Sequence, residues 1–393
     1  MRVLLLAPFD LFPPVHGGSS IVYSFVKHAS ARHDVTALIS HLYSLGGPVD
    51  LAGNVQVHYC RRSPFDRLKV LSFLVNPYYY WAAERLCRER SPDVIQCEIL
   101  WPMLVGSHLR RKHRVPLVWI EHNIEAQKFA ELGRPGLVTS LVRIVERLAC
   151  KHADHIVTLT DLDRNHLIEL YGAKPERITV INPGPDLDDF RFDAESRAAV
   201  RGRYGLSEGD VLLTFVGNLE YEPNAQAVRR IAHDIYPAII RDHPTARFAI
   251  IGQGQERLSD CRLDRITFAG YVTRQDLIAH LSATDIFVVP IETGSGIRVK
   301  IPEATACGRA VVATRKAAEG LECFGEDELV RVASAGHQFV SAVLRLVDDR
   351  NLRDAIGERA EARTRHEFGW EKTLEKYETV YSKATTAARE SGF

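Results

Sequence analysis

Short apolar runs separated by amphipathic stretches recur along the whole chain, the pattern of buried strands alternating with helices. In the first half Val3–Ala7, Val35–Ile39, Val55–Tyr59, Asp93–Cys97, Leu117–Glu121 and His155–Thr160 read as strands. Ile21, Val22, Phe25 and Val26 give one helical apolar face, and Leu141, Ile144, Val145 and Leu148 give another within Val138–Lys151. Asp161–Tyr171 reads as a helix opened by an acidic cap. The strand that begins at Ile178 runs into Pro183, Gly184 and Pro185, a cluster that can continue neither element. The alternation then restarts with Val211–Val216, a helix to Arg241, Arg247–Gly252, Ile266–Gly270, Asp285–Pro290 and Ala310–Thr314. Beyond Thr314 the pattern is mostly helical to residue 390, with Trp370, Leu374 and Tyr377 on one face. Strand–helix alternation on both sides of a break predicts two α/β domains with parallel sheets. The length of 393 residues agrees, being too long for one ordinary core.

The most informative stretch is ETGSGIRVKIPEATACG, residues 292–308, between two of those apolar runs. Gly294 and Gly296 let backbone N–H groups approach a ligand with no Cβ in the way. Pro302 belongs in a first helical turn, so a helix is expected to start between Gly296 and Pro302. Its N-terminus carries unpaired N–H groups and about half a positive charge. Arg298 and Lys300 add like charge there, and an anion such as a diphosphate is the missing partner. Glu303 is placed to accept hydrogen bonds from hydroxyls.

This stretch resembles the nucleotide-sugar motif of the retaining glycosyltransferases of family 4, which have the GT-B fold. The resemblance implies two Rossmann-like domains with parallel sheets facing a central cleft and a C-terminal helix crossing back. It divides the chain into an acceptor-side domain (1–182), a linker (183–190), a nucleotide-sugar domain (191–368) and a returning helix (369–393). Ile178–Phe190 resembles the crossing between such domains, and His366–Tyr377 resembles the start of the returning helix. The implied reaction moves a sugar, with retention, from a UDP- or GDP-linked donor to an acceptor hydroxyl. Arg298 and Lys300 would hold the donor diphosphate, with Ser295, Gly296 and Ile297 in the same loop and Glu303 on the ribose. The family's first glutamate would fall where this chain has Ser295, and Glu292 is out of register. That departure bears on how the donor sugar is held.

Other candidates follow from the same frame. Gly17 and Gly18 open the first helix after a strand, the geometry that presents N–H groups at a sheet edge. In the family such a pair approaches the donor phosphates; a tight turn that needs glycine is the alternative. Glu121-His-Asn-Ile-Glu125 lies at a strand's C-terminal end and resembles a family motif that would put His122 beside the donor sugar or the acceptor. Many members carry Arg and Lys after the first strand of the second domain, where this chain has Asn218 and Asn224. Val272, between Tyr271 and Thr273, would meet the base through backbone groups. Asp161 and Asp163 have the shape of a metal pair but read as a helix cap, and no metal or other cofactor is expected.

Composition narrows the class further. Apolar content of 46% and charged content of 25% are those of a globular protein, and a formal net charge of zero argues against nucleic acid. The seven cysteines are scattered, with no C-x-x-C pair, and read as reduced thiols in cytoplasm. The apolar run at residues 3–7 is too short for a signal sequence, and no stretch approaches the roughly 20 apolar residues of a spanning helix. Residues 61–81 mix Arg61, Arg62, Arg67 and Lys69 with apolar and aromatic side chains. They read either as an ordinary domain helix with a solvated face or as a peripheral contact at the inner membrane face. The acceptor is accordingly left open among a glycan, a lipid-linked group and a small molecule, and the role falls in bacterial glycan, glycolipid or glycosylated-metabolite biosynthesis. A nucleotide-sugar epimerase and a catalytically silent nucleotide-sugar-binding subunit are the rival readings.

Overall fold

Strand β1 (Arg2–Ala7) is apolar from Val3 onward and buried there at every position, as a central strand covered on both faces must be. The computed structural model describes residues 1–9, 11, 17–40, 54–61, 63–64, 76–131, 133–294 and 296–390. Around β1 lie β2 (Asp34–Ile39), β3 (Val55–Tyr59), β4 (Val94–Glu98), β5 (Leu117–Glu121), β6 (His155–Thr158) and β7 (Ile178–Val180). They pair in parallel in the order β3-β2-β1-β4-β5-β6-β7. The strand order reverses between β1 and β4, so the C-terminal ends of those strands flank a crevice of the kind in which open parallel sheets bind ligands.

A second parallel sheet holds β8 (Leu212–Val216), β9 (Arg247–Ile251), β10 (Ile266–Gly270), β11 (Ile286–Val289), β12 (Ala310–Thr314) and β13 (Val330–Val332). Its order is β10-β9-β8-β11-β12-β13, and its reversal falls between β8 and β11. β13 lies in a stretch read as mostly helical. Three half-buried residues at a sheet edge are too short to leave a period in the sequence.

The chain divides into one unit of Met1–Pro183 with Trp370–Phe393 and a second of Gly184–Gly369. Within the first unit the helix Trp370–Glu390 packs on β5, β6 and the helix Gly17–Ala29. Trp370 stacks on His28 with ring centroids 5.2 Å apart, and Tyr377 meets Phe25 at 4.7 Å. The apolar face expected from Trp370, Leu374 and Tyr377 is buried.

Of the basic-aromatic stretch 61–81, residues 62 and 65–75 lie outside the described residues. A helix begins at Pro77, where the Asn76 side chain accepts from the Tyr78 N–H at 3.1 Å, and runs to Arg90. No helix of the described residues is long and apolar enough to cross a membrane. Asp163 belongs to a helix cap: Thr160 Oγ1 accepts from the Asp163 N–H at 3.0 Å and donates to Asp163 Oδ2 at 2.7 Å. The cap residue itself is Thr160, one position before Asp161.

Candidate functional site

The loop after β11 leaves the sheet at the β8–β11 reversal, next to the loop after β8. Gly294 adopts φ +93°, and a Cβ there would meet Tyr221 Oη at 2.7 Å. The helix that follows runs from Lys300 to Ala306, with Pro302 in its first turn as expected. Arg298 turns back on this loop: its guanidinium donates to the carbonyls of Gly294 at 2.9 Å, Thr293 at 3.3 Å and Gly296. It clamps the loop's shape and, buried, brings positive charge beneath it.

Lys300 reaches the helix after β8 (Glu222–Arg230). Its ammonium donates to Asn224 Oδ1 at 3.0 Å and stands 4.6 Å from the centre of the Phe215 ring. Gly217 makes room for that contact, since a Cβ there would lie 2.9 Å from Lys300 Nζ and 2.8 Å from the Asn224 amide. Burial, and then the charge of Arg298, push the Lys300 ammonium down to about 7. Glu303 is only 9% exposed, and burial raises its carboxyl against the pull of Arg274 and Lys300. Its carboxylate accepts no hydrogen bond among the described residues. Its oxygens are not sealed from solvent, so hydroxyl donors of a ligand can reach them.

The other residues expected in this unit are more dispersed. Asn218 turns its side chain onto its own loop, accepting from the Glu220 N–H at 3.0 Å, while its carbonyl accepts from Asn224 Nδ2 at 2.8 Å. Ile297 packs on the domain core. Ser295 lies outside the described residues. Glu292 is tied to Arg230 at 2.6 Å and to the Ala335 N–H at 2.7 Å, which gives it a structural task. Val272, with Tyr271 and Thr273, lines a 390 Å³ cavity beside β10 together with Arg203, Tyr204 and His280. Arg298, Lys300 and Glu303 do not line it.

In the first unit, Gly17 and Gly18 are the first two residues of their helix. His122 directly follows β5, is buried, and places Nε2 2.9 Å from Glu98 Oε2 at the end of β4. Glu98 is a further residue of this site that no motif marks. Gln96 and Glu98 stand two apart in the otherwise apolar Val94–Glu98, a polar pair on one face of a buried strand, and that was the available signal. Glu125 pairs with Lys128 at 3.0 Å. Among the described residues one cluster has metal-ligand character, His233, Asp260 and Cys261. It includes none of the expected site residues, and a 3.2 Å contact between His233 and Asp260 already occupies two of its members.

Comparison with known proteins places this geometry. The family described as Glycosyltransferase Family 4 matches residues 15–189, and that described as Glycosyl transferases group 1 matches residues 210–349. A D-inositol 3-phosphate glycosyltransferase of Kineococcus radiotolerans is 28% identical over 371 residues, covering 86% of this chain and 82% of the relative. Its namesake from Mycobacterium tuberculosis is 31% identical over 304 residues, covering 74% of this chain and 62% of the relative. Among solved structures, sucrose-phosphate synthase from Thermosynechococcus elongatus superposes with a TM-score of 0.82 at 18% identity, covering 98% of this chain and 100% of that one. The Anabaena protein HepE in complex with UDP-glucose gives 0.72 at 15% identity, covering 100% and 99%. The two parallel sheets are those of the GT-B fold, and the chain belongs to the glycosyltransferases of group 1 and family 4.

Proposed function

We propose that this glycosyltransferase works with retention, moving a sugar from a nucleotide diphosphate sugar to an acceptor hydroxyl without a metal. One observation carries the reading. At the reversal point of the second sheet a buried Glu303 carboxylate accepts no hydrogen bond among the described residues, while half-buried Lys300 and buried Arg298 bring positive charge to the adjoining loop. A nucleoside diphosphate satisfies both needs, its ribose hydroxyls donating to Glu303 and its phosphates meeting the cations.

The hard part of such a transfer is the departure of the diphosphate. Fixed positive charge stabilises the leaving oxygen more as its charge grows, so Lys300 acts on the transition state more than on the bound donor. Arg298 holds the loop in the conformation this requires. The oxocarbenium-like sugar is then met by the acceptor on the face the diphosphate leaves, which gives retention. In this reading Gly17, Gly18, Asn218, Val272, Gly296 and Ile297 contribute backbone and shape to the donor, and His122 serves the transfer step.

The test is product analysis. UDP- and GDP-sugars are incubated with candidate acceptors, among them D-inositol 3-phosphate because relatives carry that name, and the anomeric configuration is read by proton NMR. HepE was solved with UDP-glucose, which makes it the first donor to try. A glycoside with the donor's configuration supports the reading, and an inverted product contradicts it. Conversion of the donor sugar without acceptor would point to an epimerase, and nucleotide binding without turnover to a silent subunit.

A further inference from the structure

We propose that Tyr381, Gln96 and Glu98 form a buried positioning relay that fixes the tautomer of His122. The inference rests on the reading above that His122 serves sugar transfer.

All four residues belong to the first unit and all are buried. Tyr381 lies on the helix Trp370–Glu390, and its hydroxyl donates to Gln96 Oε1 at 2.5 Å. Gln96 Nε2 donates to Glu98 Oε1 at 2.5 Å. The other carboxylate oxygen, Glu98 Oε2, stands 2.9 Å from His122 Nε2. The direction of each bond follows from chemistry. A tyrosine hydroxyl that donates to Gln96 Oε1 leaves the Gln96 NH₂ turned toward Glu98, where a carboxylate oxygen accepts. Glu98 Oε2 accepts from His122 when the ring proton is on Nε2, the tautomer that has its lone pair on Nδ1.

The backbone supports this placement. Ile99, next after Glu98, has φ 58°. The left-handed region is unfavourable for a β-branched residue and persists only where the surroundings enforce it. Here the chain leaves β4 by that turn while the Ile99 N–H still donates to the Ile120 carbonyl at 2.9 Å, keeping β4 and β5 paired to Ile120, two residues before His122. The Tyr381 hydroxyl keeps its proton, since burial raises it well above the usual tyrosine range. An imidazole held by a carboxylate in one tautomer and one orientation is the arrangement that lets histidine exchange a proton at a defined atom. The relay makes the C-terminal helix part of that arrangement.

The experiment reads the imidazole nitrogens of the full-length protein, labelled with ¹⁵N histidine, by long-range ¹H–¹⁵N NMR, alongside kcat and KM. Wild type is expected to show His122 as the Nε2–H tautomer. Tyr381→Phe removes one hydroxyl, and Gln96→Met breaks the relay at its centre with no substitution in the helix. Each should shift the His122 signals toward mixed tautomers and lower kcat roughly tenfold, with donor KM little changed. Glu98→Gln should move them furthest, and Glu98→Asp should restore part of the loss. Two variants that melt lower but keep the wild-type His122 signals and kcat would make the contacts merely structural and overturn the relay. If His122→Asn retains wild-type kcat while the signals still shift, the relay stands and the role given to His122 falls.

Discussion

Lys300 Nζ lies 3.0 Å from Asn224 Oδ1, so the helix after β11 and the helix after β8 meet through one ammonium group. An amide oxygen satisfies part of that ammonium's need without neutralising it. Lys300 therefore waits in a depressed state, down to about 7, that an arriving anion would reverse.

Proton uptake on donor binding follows from that state. At pH 8.5 Lys300 is largely neutral in the free protein, and a bound diphosphate draws the proton back. Calorimetry of UDP or GDP in two buffers of different ionisation enthalpy should show uptake approaching one proton at pH 8.5 and little at pH 6. Affinity should fall as pH rises above about 7. A proton count of zero at both pH values would place the phosphates away from Lys300.

Gly217→Ala tests the same junction by volume. The added Cβ meets Lys300 Nζ and the Asn224 amide, both ends of side chains that can move aside, and Gly217 has no positive φ to protect. The fold should survive with a melting temperature within a few degrees of wild type, while donor affinity drops about tenfold or more. Equal affinity would mean that the Lys300–Asn224 contact is not used.

Asp285, just before β11, accepts from Arg197 at 2.6 Å, from Arg201 at 2.8 Å and from the Leu212 N–H at 2.8 Å. Removing one partner of a buried ionic network leaves the others uncompensated, a loss of about 3–5 kcal/mol. Asp285→Ala should show that loss in urea denaturation. A change below about 1 kcal/mol would mean that water takes over the carboxylate's role.

Stability should also depend on pH through the first unit. Glu146 is fully buried, and burial raises its carboxyl to about 7; Glu121 is raised too, by burial and then by Glu146. A raised carboxyl means the folded state holds protons that the unfolded chain releases. Its contribution is complete below about pH 4.5 and is lost as pH climbs to about 7, by about 3 kcal/mol for Glu146. Denaturation midpoints of Glu146→Gln should be flatter than wild type over that range; parallel curves would contradict the assignment.

The parallel strands other than β13 were legible because most are short apolar runs bounded by Gly, Pro or a cap. The loop 292–308 was legible because its glycines, cations and Glu303 lie within a few residues of one another. What escaped was long-range. Nothing near Gln96 in sequence announces Tyr381, 285 residues away, or says which side chain Lys300 will reach. Arg298 was expected to point at a ligand, yet its donors also close on carbonyls of its own loop, a choice made by backbone geometry that sequence does not carry.

The most direct measurement is steady-state kinetics of Lys300→Ala beside Arg298→Ala and Glu303→Ala, each confirmed folded. If Lys300 stabilises the departing diphosphate, Lys300→Ala lowers kcat by about 10²–10³, with Arg298→Ala similar because its loop loses its clamp. Glu303→Ala removes contacts present in ground state and transition state alike, so it mainly raises donor KM. Wild-type kcat/KM in both Lys300→Ala and Arg298→Ala would contradict a donor diphosphate site at this loop.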